Sequence, residues 1–191
     1  MVLTISQEYA SGAPEIGEQL SKRLGIRLFE KEGLKEEAEK SGMYEDMKMF
    51  LTEEYYDSLL YAIAENYSCT QIGEIPFSQL RKIAARQPCI ILGMGANYIL
   101  QDREDLVSVF LHSEKEKRIE KIMELYDIKA SKAEKLIDKE DKRKEKFYQY
   151  YMKGNWKSAD GYHLTLDTGR LGIEKTVDFI LYYIQSMQSH I

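Results

Sequence analysis

Residues 7–14, Gln7-Glu8-Tyr9-Ala10-Ser11-Gly12-Ala13-Pro14, place a hydroxyl and a glycine between an apolar run, VLTIS at 2–6, and an amphipathic helix start. That layout suits an anion, because the N–H groups and the positive dipole end of a helix N-terminus can hold a phosphate. A loop of the G-x-x-x-x-G-K-[ST] type adds a lysine for the β/γ charge and a hydroxyl for magnesium. Here Gly12 stands for the last glycine, but Ala13 and Pro14 fill the lysine and Ser/Thr places and Gln7 replaces the first glycine. No lysine or arginine lies between Val2 and Lys22. Ser11 and Gly12 can offer a hydroxyl and backbone donors, and a plain helix cap by Ser11 is the competing reading.

These residues sit in a chain of 191 amino acids, 43% hydrophobic and 31% charged, which is the composition of one globular domain. The N-terminus lacks the basic and apolar regions of a signal peptide, and runs such as CIILG and LVSVFL are far shorter than the ~20 residues of a membrane span. Cys69 and Cys89 form no metal or disulfide pattern, so a reducing cytoplasm is expected, with no membrane partner and no metal site. The net charge of −5 is unevenly spread. Residues 30–65 hold eleven acids against four lysines, and residues 129–146 hold eight bases against five acids. Net acidity argues against nucleic acid as a general partner.

No repeat, low-complexity tract or linker divides the chain. VLTIS (2–6) reads as a strand buried on both faces. The helix after it aligns Ile16, Leu20 and Leu24, takes Pro14 in its first turn and stops at Gly25. RLF (27–29) is a second short strand, and residues 31–66 read as helices with Met43, Met47 and Phe50 at helical spacing. A helix over 76–87 leads to the strand CIILG (89–93), then a short helix over 96–100 and the strand LVSVFLH (106–112). Charged helices over 114–126 and 131–152 precede the strand YHLTLD (162–167) and a closing helix over 172–187. Strands alternating with helices imply a three-layer αβα sandwich around a mostly parallel sheet of about five strands, with ligands at the strands' carboxyl ends. That rule selects Gln7–Pro14, the loop after Leu92, His112–Ser113 and Asp167–Thr168.

Several phrases, in order, resemble the cytidylate-kinase-like family of P-loop nucleoside-monophosphate kinases. Ile5-Ser6-Gln7-Glu8-Tyr9-Ala10-Ser11-Gly12-Ala13-Pro14-Glu15-Ile16-Gly17 resembles the family opening I-S-R-E-Y-G-S-G-G-R-E-I-G. Glu30–Leu34 and Glu37–Gly42 resemble D-K-E-L-I and A-A-E-E-S-G, and Gly93–Leu100 resembles G-R-G-A-D-Y-I-L. Val109-Phe110-Leu111, Arg118-Ile119, Asp141-Lys142-Arg143, the tyrosines 148, 150 and 151, Trp156, Tyr162-His163-Leu164 and Asp167-Thr168 continue the likeness to the end of the chain. The resemblance implies a single P-loop-kinase-like domain over 1–191, with a helical acceptor-side insertion at 30–66 and a lid-like segment at 129–156. It also implies phosphoryl transfer from ATP to a CMP-like nucleoside monophosphate.

Its departures concentrate where charge should be. Family arginines fall on Gln7, Pro14 and Met94, family glycines on Ala10 and Ala13, and family aspartates on Glu30 and Asn97. The phosphate loop is degenerate. A helix N-terminus stabilises an anion by roughly 0.3–1 kcal/mol, about 2 when sheltered. Enzymes supply on the order of 8 kcal/mol or more at the transition state, and one arginine can be worth about 10³–10⁵ in phosphoryl-transfer rate. The resemblance therefore assigns binding of the nucleotide cofactor to Ser11, Gly12, Ala13 and Glu15, and catalysis to Arg118, Lys142 and Arg143, with ATP and Mg2+ if the chain is active and no cofactor if it is not. Two bland readings compete: Lys142 and Arg143 as a solvated helix face in KEDKRKEK, and Arg118 pairing with Glu114 one turn away. Tyr148, Tyr150 and Tyr151 suit either base stacking or a core, and Met94 is expected to pack inward. The expectation is impaired phosphoryl transfer. Its alternative is a catalytically inactive nucleotide-binding or protein-interaction module on the same fold, and an oligomer is compatible with either.

Overall fold

The computed structural model describes residues 1–53 and 74–188. Five strands, β1 (Val2–Gln7), β2 (Arg27–Phe29), β3 (Cys89–Leu92), β4 (Leu106–His112) and β5 (Leu164–Asp167), form one sheet in the order β2-β3-β1-β4-β5. Every pairing is parallel: Val2 lies opposite both Cys89 and Leu106, Arg27 opposite Cys89 and Val109 opposite Leu164. Parallel strands need crossovers. Among the described residues the helices are α1 (Ala13–Leu24), α2 (Lys31–Lys40), α3 (Tyr44–Thr52), α4 (Glu74–Arg86), α5 (Ala96–Ile99), α6 (Lys115–Tyr126), α7 (Ala130–Met152) and α8 (Thr168–Gln188). The stretch of the expected 30–66 insertion beyond residue 53 lies outside the described residues, as does Cys69.

The largely apolar strands are explained by two cores, one on each face of the sheet. Leu3, Ile5, Ile90, Val107, Val109 and Leu111 pack against Ile16 and Leu20 of α1 and Val177, Ile180 and Ile184 of α8. Their alternate neighbours Val2, Cys89, Ile91, Leu106 and Phe110 face Leu34 of α2, Met47 and Phe50 of α3, Leu80 of α4 and Phe147 of α7. A smaller cluster, Ile122 with Ala133 and Ile137, fastens α6 to α7. Among the described residues no helix is long and apolar enough to cross a membrane.

The boundaries on either side of β5 differ from the sequence reading. Pairing of β5 begins at Leu164 rather than Tyr162, because a 3-10 turn over Ala159–Gly161 delivers the chain to the sheet edge. Helical turns start at Thr168 rather than Gly172, since Asp167 Oδ1 accepts the N–H groups of Gly169 and Arg170 at 3.0 and 3.2 Å. Gly172, at φ 75° and ψ 171°, then breaks α8 and turns its long segment back along the sheet.

Candidate functional site

β1 is the central strand, and the loop at its carboxyl end is anchored to both neighbours. Glu8 N–H donates to Leu111 O at 2.9 Å, and Gly93 N–H donates to Ile5 O at 2.9 Å. Ala10 takes φ 67° and Gly12 φ 87°. The left-handed conformation costs an L-residue roughly 1–2 kcal/mol, so Ala10 keeps a glycine-type backbone without a glycine. Gly12 is needed for space as well: a Cβ there would lie 2.6 Å from Ile173 Cδ1 and 3.5 Å from Lys121 Nζ.

The start of α1 is occupied by the chain's own oxygens. Ala13 N–H donates to Gln7 Oε1 at 3.0 Å. Pro14 has no N–H. Burial would raise the Glu15 carboxyl, yet Lys121 Nζ at 2.5 Å and Glu15's own backbone N–H hold it below the usual range. The N–H groups of Ala13 and Glu15, which a phosphate could use, are thus already paired. Ser11, 2% exposed, differs: its Oγ has no hydrogen-bond partner.

Cations do reach this loop, each with a carboxylate or carbonyl beside it. Arg118, 6% exposed, donates from Nη1 to Asp141 Oδ2 at 2.8 Å and to Tyr9 O at 3.2 Å, and its Nε lies 3.7 Å from Glu8 Oε2. Asp141 Oδ1 accepts Tyr9 N–H at 2.8 Å. Lys157 Nζ is 2.6 Å from Glu8 Oε1, and Arg143 Nη2 is 2.6 Å from Glu140 and 3.0 Å from Glu53. Lys144 Nζ donates to Gln7 O at 3.0 Å, and burial pushes its ammonium below the usual lysine range. For Arg118, 6% exposed, pairing is required, because a buried charge survives in a protein only when partnered. The Nε atoms of Arg118 and Arg143 are buried without a hydrogen-bond partner, so both guanidiniums keep spare donor capacity.

Cavities flank the loop on two sides. One of about 260 Å³ is bounded by Tyr9, Gly12, Lys121, Leu125 and Tyr126. Burial, followed by the hydrogen bond to Tyr126, raises the Tyr9 phenol above its ordinary value. The other, about 40 Å³, is lined by Glu53, Met94, Lys144, Tyr148 and Trp156. Gln7 lines both. Behind the second cavity, Asn97, 4% exposed, donates to Tyr148 Oη at 2.9 Å and Gly161 O at 3.2 Å. The Gly161 carbonyl needs a donor there, which a carboxylate would not supply.

The structure therefore brings Ser11, Gly12, Ala13, Glu15, Arg118 and Arg143 around one loop and leaves Lys142 exposed on α7. Arg118 pairs across the fold with Asp141 rather than with Glu114. Met94 packs inward at 3% exposure, and Tyr148 belongs to the core at 8%. Gln7 as an occupant of the loop, and Lys121, Lys144 and Lys157 as its cations, do not emerge from the sequence. Lys144 carries a faint trace: it follows Asp141 by three residues and so shares its helix face. The Ser/Thr hydroxyl that a phosphate loop lends to magnesium is missing after Gly12. Pro14 offers no hydroxyl, and among the described residues no group of three or more His, Cys, Asp or Glu could hold a metal.

A strand, an anion-type loop and a helix at the centre of a five-stranded parallel sheet, faced by a cationic helix, make this a P-loop-kinase fold. The chain belongs to the cytidylate kinase-like family, whose sequence profile matches residues 2–170. Among solved structures it is similar to an uncharacterized protein from Eubacterium ventriosum, at 22% identity and a TM-score of 0.76 over 97% of this chain and 99% of that one. It is also similar to shikimate kinase from Bacteroides thetaiotaomicron, at 13% identity and 0.54 over 97% and 98% of the two chains. The YorR protein of Bacillus subtilis, solved in complex with phosphorylated GDP, aligns at 14% identity and 0.55 over 100% and 99%. These likenesses are of fold. No curated protein matches the chain.

Proposed function

We propose that this protein binds a nucleotide at the Ser11–Glu15 loop and transfers a phosphoryl group from ATP to a CMP-like nucleoside monophosphate only slowly. Family membership supports the reaction class. The observation that carries the impairment is the self-satisfied loop: Ala13 N–H on Gln7, Glu15 on Lys121, and Arg118 and Arg143 on carboxylates. In this reading Ser11 and Gly12 cradle the donor phosphates, while Arg118 and Arg143 share their spare donors with the transferring group. Lys142 joins them only if α7 moves. Positive groups already engaged with carboxylates stabilise developing phosphoryl charge less than free ones, which lowers the rate rather than abolishing binding.

ADP formation from ATP with CMP, UMP, dCMP or AMP as acceptor, at micromolar protein and with magnesium, tests the transfer. Calorimetry with the same nucleotides tests binding. Slow, acceptor-dependent turnover is expected. Binding without turnover overturns the transfer and leaves a nucleotide-binding module; the absence of both overturns the whole reading.

A further inference from the structure

Gln7 is pinned at two atoms. Its backbone oxygen accepts from Lys144 Nζ at 3.0 Å, and its side-chain oxygen accepts from Ala13 N–H at 3.0 Å. The second bond puts a neutral carboxamide oxygen on the first available N–H of α1, a donor that a phosphate oxygen would otherwise take. Gln7 is also the residue common to the linings of the 260 Å³ cavity beside Lys121 and the 40 Å³ cavity beside Lys144. A transferring group has to reach from one reactant to the other in line, so a wall between the two cavities blocks the reaction as well as the anion.

We infer that Gln7 is the gate of this site: a built-in occupant whose side chain must leave Ala13 N–H before a phosphate can bind, and whose departure joins the two cavities. The inference rests on the proposed nucleotide-binding role of the loop and specifies what limits it. The gate is weak enough to open. It holds by one neutral hydrogen bond at its movable end, and Lys144 keeps the backbone in place while the side chain swings. Ser11 Oγ, buried and unpartnered at the same loop, supplies a second polar group to the entering anion. Removing the carboxamide should tighten anion binding by the worth of one net hydrogen bond, about 2- to 13-fold.

Pyrophosphate titration by calorimetry tests this on the wild type, Q7A and Q7E, each first checked for cooperative unfolding. The expected result is Q7A binding about 2- to 13-fold more tightly than the wild type, and Q7E more weakly because a carboxylate holds the N–H harder and repels the ligand. Equal or weaker binding by folded Q7A, with the wild type still binding, overturns the gate and leaves the nucleotide site standing. No binding by either overturns both. Should Q7A fail to fold, the wild type itself decides by NMR: the Ala13 amide and the Gln7 carboxamide resonances must shift together as pyrophosphate binds, and their staying still while it binds sinks the proposal.

Discussion

Ser11 holds a hydroxyl at 2% exposure with no partner, and an unsatisfied buried polar group costs about 1–3 kcal/mol. Binding sites tolerate such local costs because a ligand repays them. Ser11→Ala should raise stability by about 1 kcal/mol in urea unfolding and weaken nucleotide binding in calorimetry; a stability loss would mean the hydroxyl is satisfied. Gly95 is the opposite case. Its φ of 61° strains any side chain there, and the end of the Met152 side chain would also have to move aside. Gly95→Ala should cost about 1–3 kcal/mol, read as a lowered denaturation midpoint.

At the scale of elements, α7 is held against the phosphate-type loop by Asp141, which accepts both Tyr9 N–H and Arg118 Nη1 at 2.8 Å, and by Lys144 on Gln7 O. α7 is thus fastened to the loop by the protein's own charges. Asp141→Ala would leave the Arg118 guanidinium, only 7% exposed, with a distant Glu8. Breaking a buried pair from one side costs about 3–5 kcal/mol. The variant should lose about that much stability, and hydrogen exchange should quicken in α7 and at Tyr9 before it does in β1. Exchange that quickens uniformly would show that α7 is not separately latched.

Across the whole molecule the two-faced sheet makes stability respond to pH at both ends of the range. Burial lifts the Cys89 thiol from 9.0 to about 11. The unfolded chain releases that proton first, so stability is whole below pH 9 and falls as pH rises to about 11, by at most about 3 kcal/mol. Tyr148, raised mainly by burial, adds to the loss at higher pH. At the acid end, hydrogen bonds from Arg103 and then the terminal amine hold Asp105 at about 2 against 3.8. Its contribution is present above pH 3.8 and disappears toward pH 2, and it is small because Asp105 is 43% exposed. Urea unfolding between pH 8 and 11 should decline for the wild type and flatten for Cys89→Ala; parallel curves would remove Cys89 as the source.

Sheet and helices were legible because their cause is local and periodic. Mostly apolar runs at 2–6, 89–92 and 106–112 suit burial between two helical layers, and Pro14 and Gly25 bracket α1 by backbone chemistry alone. The loop was legible as a position, Gln7–Pro14 between strand and helix, and so was its lack of lysine and arginine. What fills that place was not, because the partners come from far along the chain. Lys144 lies 137 residues from Gln7, Lys121 lies 106 from Glu15, and Asp141 lies 132 from Tyr9. A lysine or arginine in a charged helix has no sequence mark for which carboxylate or carbonyl it will meet; folding decides it by bringing segments far apart in the chain together at the loop. The sequence by itself determined a cytidylate kinase-like fold with a stripped loop, and only the tertiary structure decided that the loop is occupied by Gln7 and ringed by cations already paired.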